Sequence, residues 1–536
     1  MLRRLGAVGL LVLLVVTLMT GTAWAAGDPS ISEAGKASAT TTDVGVAVNL
    51  LWIVVGAVLV IFMQAGFALV ETGFCRAKHA AHVFSTNFAI FGLGLLGYFV
   101  VGFAIMFSGF SYAGYFGLDT ALSADRLIGS GDWTFLWGRT GFGLSGAAYS
   151  APVAAFFLYM LAFMDTTATI PTGAMAERWK WKAFVGWGIF CGAIFYPLFG
   201  GWTWGGGWLS QLGNNLDLGF GYVDFAGSGV VHAMGGIAAL AGAVVLGARI
   251  GKYGADGKPR ALSAHSIPMA GLGVFILLVG WFGFNAASTF AATDLRFTVV
   301  AVNTAIAAGI GATIAMFYAM KRLGKPDPGM MMNGMLAGLV AITAPCAFVQ
   351  PWAAAVIGAI AAVIVIESIL FIERKGVDDP VGAISVHGVC GIFGVLCIGI
   401  FADGRYGALW NVTESDATAG KGVTGILYGN REFLGSGSFG ELGFGQLASQ
   451  AIGALVIIFV MGGIAYGFFK IQSLFFKDKT IRSPEADEIA GLDRPEMGVL
   501  AYDNLQIREI DVVGLDPAKD KVLATGGETP DPTTGR

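Results

Sequence analysis

Two stretches of this sequence repeat a pattern that could handle protons. Residues Asp224 to Ile237 read DFAGSGVVHAMGGI, and Asp379 to Ile392 read DPVGAISVHGVCGI. In one fourteen-residue frame they share six positions: the Asp, a Gly three residues on (Gly227, Gly382), Val–His (Val231–His232, Val386–His387) and Gly–Ile (Gly236–Ile237, Gly391–Ile392). Such a match marks an internal duplication. Asp is a good helix N-cap, and Pro380 after Asp379 suits the first helical position. The eight residues from cap to His predict about 12 Å of helical rise. A bilayer's hydrocarbon core is about 30 Å thick. If these helices cross one, each His lies near its middle, where an ionisable group is costly and reads as functional. Two imidazoles in contact can share a proton and offer donors and acceptors to a small polar solute.

The elements that must position them are membrane helices. The chain has 536 residues, 55% hydrophobic and only 13% charged. Soluble domains carry about 25% charged residues, so this composition excludes a soluble enzyme or nucleic-acid binder and predicts an all-α polytopic membrane protein. The 81 glycines suit close helix approach in lipid. Five cysteines without CxxC or metal spacing read as small core residues.

Residues 1–26 read as a signal peptide: Arg3 and Arg4, a short apolar run, then Ala23-Trp24-Ala25 for cleavage. Residues 27–45 form a small polar segment expected outside the membrane. Apolar runs then fall near 46–74, 84–108, 144–170, 183–204, 226–249, 264–289, 297–320, 331–350, 352–372, 381–402 and 446–474, eleven spans in all. Lys and Arg gather after the odd-numbered runs (Arg76, Lys78; Arg178, Lys180, Lys182; Arg249, Lys252; Lys321, Arg322; Arg374, Lys375). The positive-inside rule then predicts an N-terminus outside and a C-terminus inside. Runs five and ten enter from opposite sides, so the Asp–His copies are antiparallel. The expected architecture is a 5+5 inverted repeat, repeat 1 about 46–250 and repeat 2 about 263–402. Gln64-Ala65-Gly66-Phe67-Ala68 in run one echoes Trp281-Phe282-Gly283-Phe284-Asn285 in run six. Run eleven, about 446–474, lies outside the repeat and is expected to brace it. The segment 475–502 reads as a charged tail, and 503–536 as disordered.

TGAMAER (172–178), WGGGW (204–208), DFAG…VVH (224–232), GWFGFNAAS (280–288) and DDP…VHGVCG (378–391) stand in one order over roughly residues 46–502. These motifs resemble the Amt/Mep/Rh ammonium transporter family, most closely its bacterial and plant Amt branch. The resemblance implies a transporter without catalytic residues or cofactors. It implies twin pore histidines at His232 and His387 and a stacked phenyl gate at Phe163 and Phe284, with Trp281 lining the pore. Tyr159, Phe163, Trp204 and Ser288 match the outer recruitment site, Tyr159 standing where Phe is commoner, and Asp224 matches the acidic vestibule residue. Aromatic faces hold a compact cation by about 0.5–2 kcal/mol each. A Ser hydroxyl accepts an N–H that K+ cannot offer, and an apolar tube below rejects any bare ion. Glu177 and Arg178 read as an inner-face pair, and Asp165 carries no assigned role. Gly491-Leu492-Asp493, Gly498 and Ala501-Tyr502 resemble the family's regulatory tail, which contacts the neighbouring subunit. The family further implies a homotrimer in the inner (plasma) membrane, and a cytoplasmic PII-type protein as partner. The competing readings are a neutral NH3/CO2 channel of Rh type, an ammonium sensor, and a haem protein using both histidines as axial ligands.

Overall fold

Proline and a capping side chain together open two of the apolar helices. Ser266 accepts from the Met269 amide and Asp327 from that of Met330, ahead of helices whose first turns hold Pro268 and Pro328. The computed structural model describes residues 41–108, 126–130, 133–138, 140–407, 422–429 and 444–502. The expected signal peptide and the C-terminal extension lie outside them. Among the described residues, ten helices are long and apolar enough to cross a membrane: α1 (Val44–Phe74), α2 (Ala77–Phe107), α3 (Ala151–Ala174), α4 (Trp181–Trp202), α5 (Ser228–Leu246), α6 (Ile267–Thr289), α7 (Arg296–Leu323), α9 (Pro351–Arg374), α10 (Ile384–Phe401) and α11 (Phe444–Leu474). A shorter apolar helix, α8 (Pro328–Thr343), completes the expected eleven. Helix α3 begins later than its apolar run, because Gly141, Gly143 and Gly146 with positive φ turn the chain first. A small hairpin, β1 (Arg126–Ser130) and β2 (Trp133–Trp137), precedes it.

The helices pair as an inverted repeat requires. Within the first half α1 packs on α2 and α3, α2 on α4, and α3 on α5; in the second, α6 packs on α7 and α8, α7 on α9, and α8 on α10. The halves meet through α1 with α6 and α5 with α10. Helices α1 and α6 run antiparallel: Gly56 approaches Gly283, Gly66 approaches Gly273, and Gly73 approaches Ala270. Helix α11 packs on both α5 and α10, bracing the seam. Large apolar side chains such as Leu51, Phe62, Phe88, Phe275 and Phe459 are exposed on the bundle surface, as lipid contact demands. All five cysteines are free and buried.

Candidate pore and its two ends

Helices α5 and α10 carry the histidines, and their starts are built alike. Asp224 accepts from the amides of Gly227, Gly229 and Val230 at 2.8–2.9 Å. Asp379 accepts from Gly382 and Ile384. In both copies the shared Gly takes positive φ, +115° at Gly227 and +81° at Gly382, before the helix begins. This corrects two sequence expectations. Pro380 lies in the turn, not at the first helical position. The helical rise to His232 starts at Ser228, so it is about 6 Å rather than 12 Å. Further chain covers that end, where Leu209, Tyr222 and Val223 are buried.

Both starts then widen by one residue per turn. The His232 amide donates to the Gly227 carbonyl and the Cys390 amide to Ser385, five residues back. The helices cross where side chains vanish. A Cβ on Gly236 would stand 2.0 Å from the Gly388 nitrogen, and one on Gly391 would stand 2.8 Å from that of Ala233. Ala233 and Gly388 hold the same place in the two copies, so the contact is reciprocal and antiparallel. This crossing brings His232 Nδ1 within 3.2 Å of His387 Nδ1. Both rings are buried, and His232 Nε2 has no partner.

Rings continue the line from His232. Trp281 and Phe284, three apart on α6, stack on it with centroids 5.0 and 5.2 Å away. Phe284 stacks on Phe163 of α3 at 4.0 Å. Phe163 in turn meets Tyr159, one helical turn earlier, at 4.7 Å, and Trp204 edge-on at 5.8 Å. Trp204 is held by its indole N–H, which donates to the Asp224 carbonyl at 2.7 Å. The Trp281 indole donates to Thr343 of α8. The Ser288 hydroxyl donates to the Phe284 carbonyl at 2.7 Å, and the Tyr159 hydroxyl lies 3.1 Å from it. That hydroxyl also reaches the carbonyls of Gly283 and Phe284. All nine residues picked from the sequence therefore belong to one connected assembly. The Asp224 carboxylate faces its own helix start, and burial pushes it up to about 6 against the lowering pull of the Val230, Gly227 and Gly229 amides.

Two partners were not singled out from the sequence. Phe67 of α1 lies 6.1 Å from His387, as Phe284 lies against His232. The paired Gly66-Phe67 and Gly283-Phe284 were the signal that could have found it. Ser228 ties α5 to α8, donating to the Val340 carbonyl and accepting from the Ala344 amide, both at 2.6 Å; no spacing rule points to it. Among the described residues no three His, Cys, Asp or Glu are placed to hold a metal. Axial ligation of an iron from both sides, at about 2 Å to each nitrogen, would set them about 4 Å apart, wider than the 3.2 Å found.

An ion cluster and the tail lie at the end beyond His387. Glu177, at φ +70°, does not pair with Arg178 as its neighbour in sequence suggested. A residue and its successor in a tight turn point apart. Glu177 accepts instead from Arg76 and from Arg249, which also clamps Asp378. Arg178 donates to the carbonyls of Ala176, Gly247 and Asp378. Burial would push Glu177 up, but Arg249, His79 and Arg76 outweigh it and hold it well below the carboxylate range. The tail docks on this face of its own chain, through a short helix α12 (Glu485–Ala490). Glu488 accepts from the Ile250 amide and from Arg482, Asp493 from the His82 amide, and Lys78 donates to the Ile489 carbonyl. His265 Nε2 meets the Tyr502 hydroxyl.

This chain matches the sequence profile of the Ammonium Transporter Family over residues 51–502. It belongs to the ammonium transporter family. Ammonium transporter Amt2 of Archaeoglobus fulgidus is 42% identical over 501 residues, covering 93% of this chain and 96% of that protein. A solved structure described as a Sensor Amt Protein superposes with a TM-score of 0.69 at 32% identity, covering 85% of this chain and 99% of that one. Candida albicans Mep2 gives a TM-score of 0.64 at 25% identity, covering 82% and 87%. The chain is thus a multi-pass membrane protein of a transporter family, not an enzyme.

Proposed function

We propose that this ammonium transporter family member takes NH4+ at Trp204, Tyr159, Phe163 and Ser288, removes a proton there, and passes NH3 between Phe163 and Phe284 and along His232 and His387. The observation that carries this reading is the 3.2 Å contact between two buried imidazoles at the end of a row of rings. A compact cation is held by the ring faces but cannot enter an apolar passage without its hydration shell. Neutral NH3 can. Within the histidine pair one Nδ1 donates and the other accepts, so one Nε2 is left as donor and the other as acceptor. Both suit a solute that gives and takes hydrogen bonds. The net transfer is of one charge per ammonium, the proton following by its own route.

The same proposal places residues 1–26 as a cleaved signal, the N-terminus outside the inner (plasma) membrane, and the basic loops and the tail 475–502 in the cytoplasm. It includes a homotrimer with one pore per subunit and a PII-type protein docking at the tail. Ammonium-evoked current in liposomes tests the core of it. Wild type gives current; replacement of His232 and His387 together by Ala abolishes selective ammonium current. Unchanged current in the double variant would refute the role of the pair. A second reading, an ammonium sensor, is favoured by the likeness to the Sensor Amt Protein. Ammonium binding to purified wild type without current or tracer flux would establish it. Tracer flux without current would mark a neutral channel.

A further inference from the structure

We propose that Glu71 forms an ammonium-binding site at the opposite end of the pore from Trp204; this rests on the transport reading above. The register of the repeat leads to it. Aligning Gly66-Phe67 with Gly283-Phe284 puts Glu71 where the second half has Ser288. Phe67 faces His387, and Glu71 is one turn further along α1 on the same face, about 6 Å away by helical rise.

The carboxylate is buried, 2% exposed, and has no ion-pair partner among the described residues. The arginines of this end are engaged elsewhere, Arg76 and Arg249 with Glu177 and Asp378. Only neutral donors hold Glu71. The Thr172 hydroxyl lies 2.8 Å from both its oxygens, and Asn87 Nδ2 donates to it at 2.6 Å. The charge acting on it most is the like charge of Asp379. A second, independent observation points to a ligand. Asn87 is fully buried, and its Oδ1, on the same amide that grips the carboxylate, has no partner. Buried acceptors are nearly always satisfied. Here the carboxylate oxygens are held by neutral donors alone, the amide oxygen lacks a donor, and among the described residues no cation is fixed beside them. An ion with four N–H donors and one positive charge satisfies this set. A metal cation is less suited, because few rigid oxygens converge. NH3 leaving the histidines would regain a proton and be held here before release.

The test compares the two faces with 15N-ammonium as tracer, in right-side-out and inside-out vesicles, so that it needs no assumption about current. Glu71→Gln keeps the Thr172 and Asn87 contacts and removes the charge. It should raise the half-saturating ammonium concentration for entry from the tail-bearing face about tenfold or more, in line with loss of a charge-assisted hydrogen bond. The value from the Trp204 face should stay within about twofold of wild type, and Glu71→Asp should restore most of the difference. Equal shifts on both faces, or none, overturn the proposal and assign Glu71 a packing role. Should Glu71→Gln fail to fold, thallous ion soaked into wild-type crystals replaces it: an anomalous peak at the Glu71 carboxylate supports the site, and a peak confined to the Trp204 end overturns it. Absence of any ammonium flux in wild type would sink the transport reading itself, whereas normal flux without the one-sided shift sinks only this inference.

Discussion

Adding one methyl group at the crossing of α5 and α10 should stop transport without unfolding the bundle. In Gly236→Ala the new Cβ would sit 2.0 Å from the Gly388 nitrogen, 2.4 Å from its Cα and 2.8 Å from the His387 carbonyl carbon. All three are backbone atoms, so no side chain can rotate away. Reaching an ordinary contact of 3.4 Å needs about 1.4 Å of helix displacement. Overpacking of this kind costs about 1–3 kcal/mol, and a rigid neighbour places it at the upper end. The displaced helix carries His387, so the 3.2 Å contact with His232 opens beyond hydrogen-bond range. Thermal unfolding in detergent and ammonium-evoked current in liposomes read the two effects separately. The expected result is a folded protein, destabilised by about 3 kcal/mol, with current at background. Gly463→Ala is the control, because nothing lies within 4 Å of its new methyl; it should keep full current and gain up to about 1 kcal/mol of helix propensity. Wild-type current and stability in Gly236→Ala would refute the close crossing.

Three further outcomes follow from the same geometry. Asp224 is a carboxylate raised to about 6, so its neutral form gains as pH falls through that value; ammonium uptake should drop on acidification with a midpoint near pH 6, and Asp224→Asn should be low and flat across the same range, an unaltered profile in the variant arguing against any role for the charge. Glu177→Ala leaves Arg76 and Arg249 buried beside an empty place, which should cost about 3–5 kcal/mol in thermal unfolding; a loss below about 1 kcal/mol would mean the cluster is hydrated. In Tyr159→Phe the hydroxyl leaves Ser288 and two carbonyls, stability should change by no more than about 1.5 kcal/mol, and the freed Ser288 acceptor should lower half-saturating ammonium about tenfold, the low end of a charge-assisted bond; a rise would show that the Tyr hydroxyl itself is the ligand.

The helices and their inverted pairing were legible because apolar runs and Lys/Arg placement are one-dimensional signals. The duplicated Asp–His motif predicted an antiparallel pair, and α5 and α10 cross as that pattern requires. The resemblance carried the ring residues, and all of them meet in one row. What was not legible depends on three-dimensional partners. Glu177 sits beside Arg178 in sequence, yet a left-handed turn aims it at Arg76 and Arg249, far away along the chain. Pro380 looked like a helix start, but Gly382 with positive φ bends the chain first. Glu71 drew no notice because a carboxylate at the end of an apolar run looks like a solvated helix end. Only its burial and the lack of a basic partner set it apart.

The widened turns beneath both histidines have a genetic consequence. Each accommodates one residue more than a regular helix would over the same path, at Ser228–Ala233 and at Ile384–Val389. Losing a single codon there lets the chain relax into an ordinary helix, with its far end left nearly in place. The side chains on the two sides of the lesion then turn by about 100° relative to each other, breaking the register between the capping Asp, the imidazole and the crossing below it. These twelve positions should therefore tolerate no one-residue deletion, so that in a saturating deletion scan the two segments stand out as matched intolerant blocks.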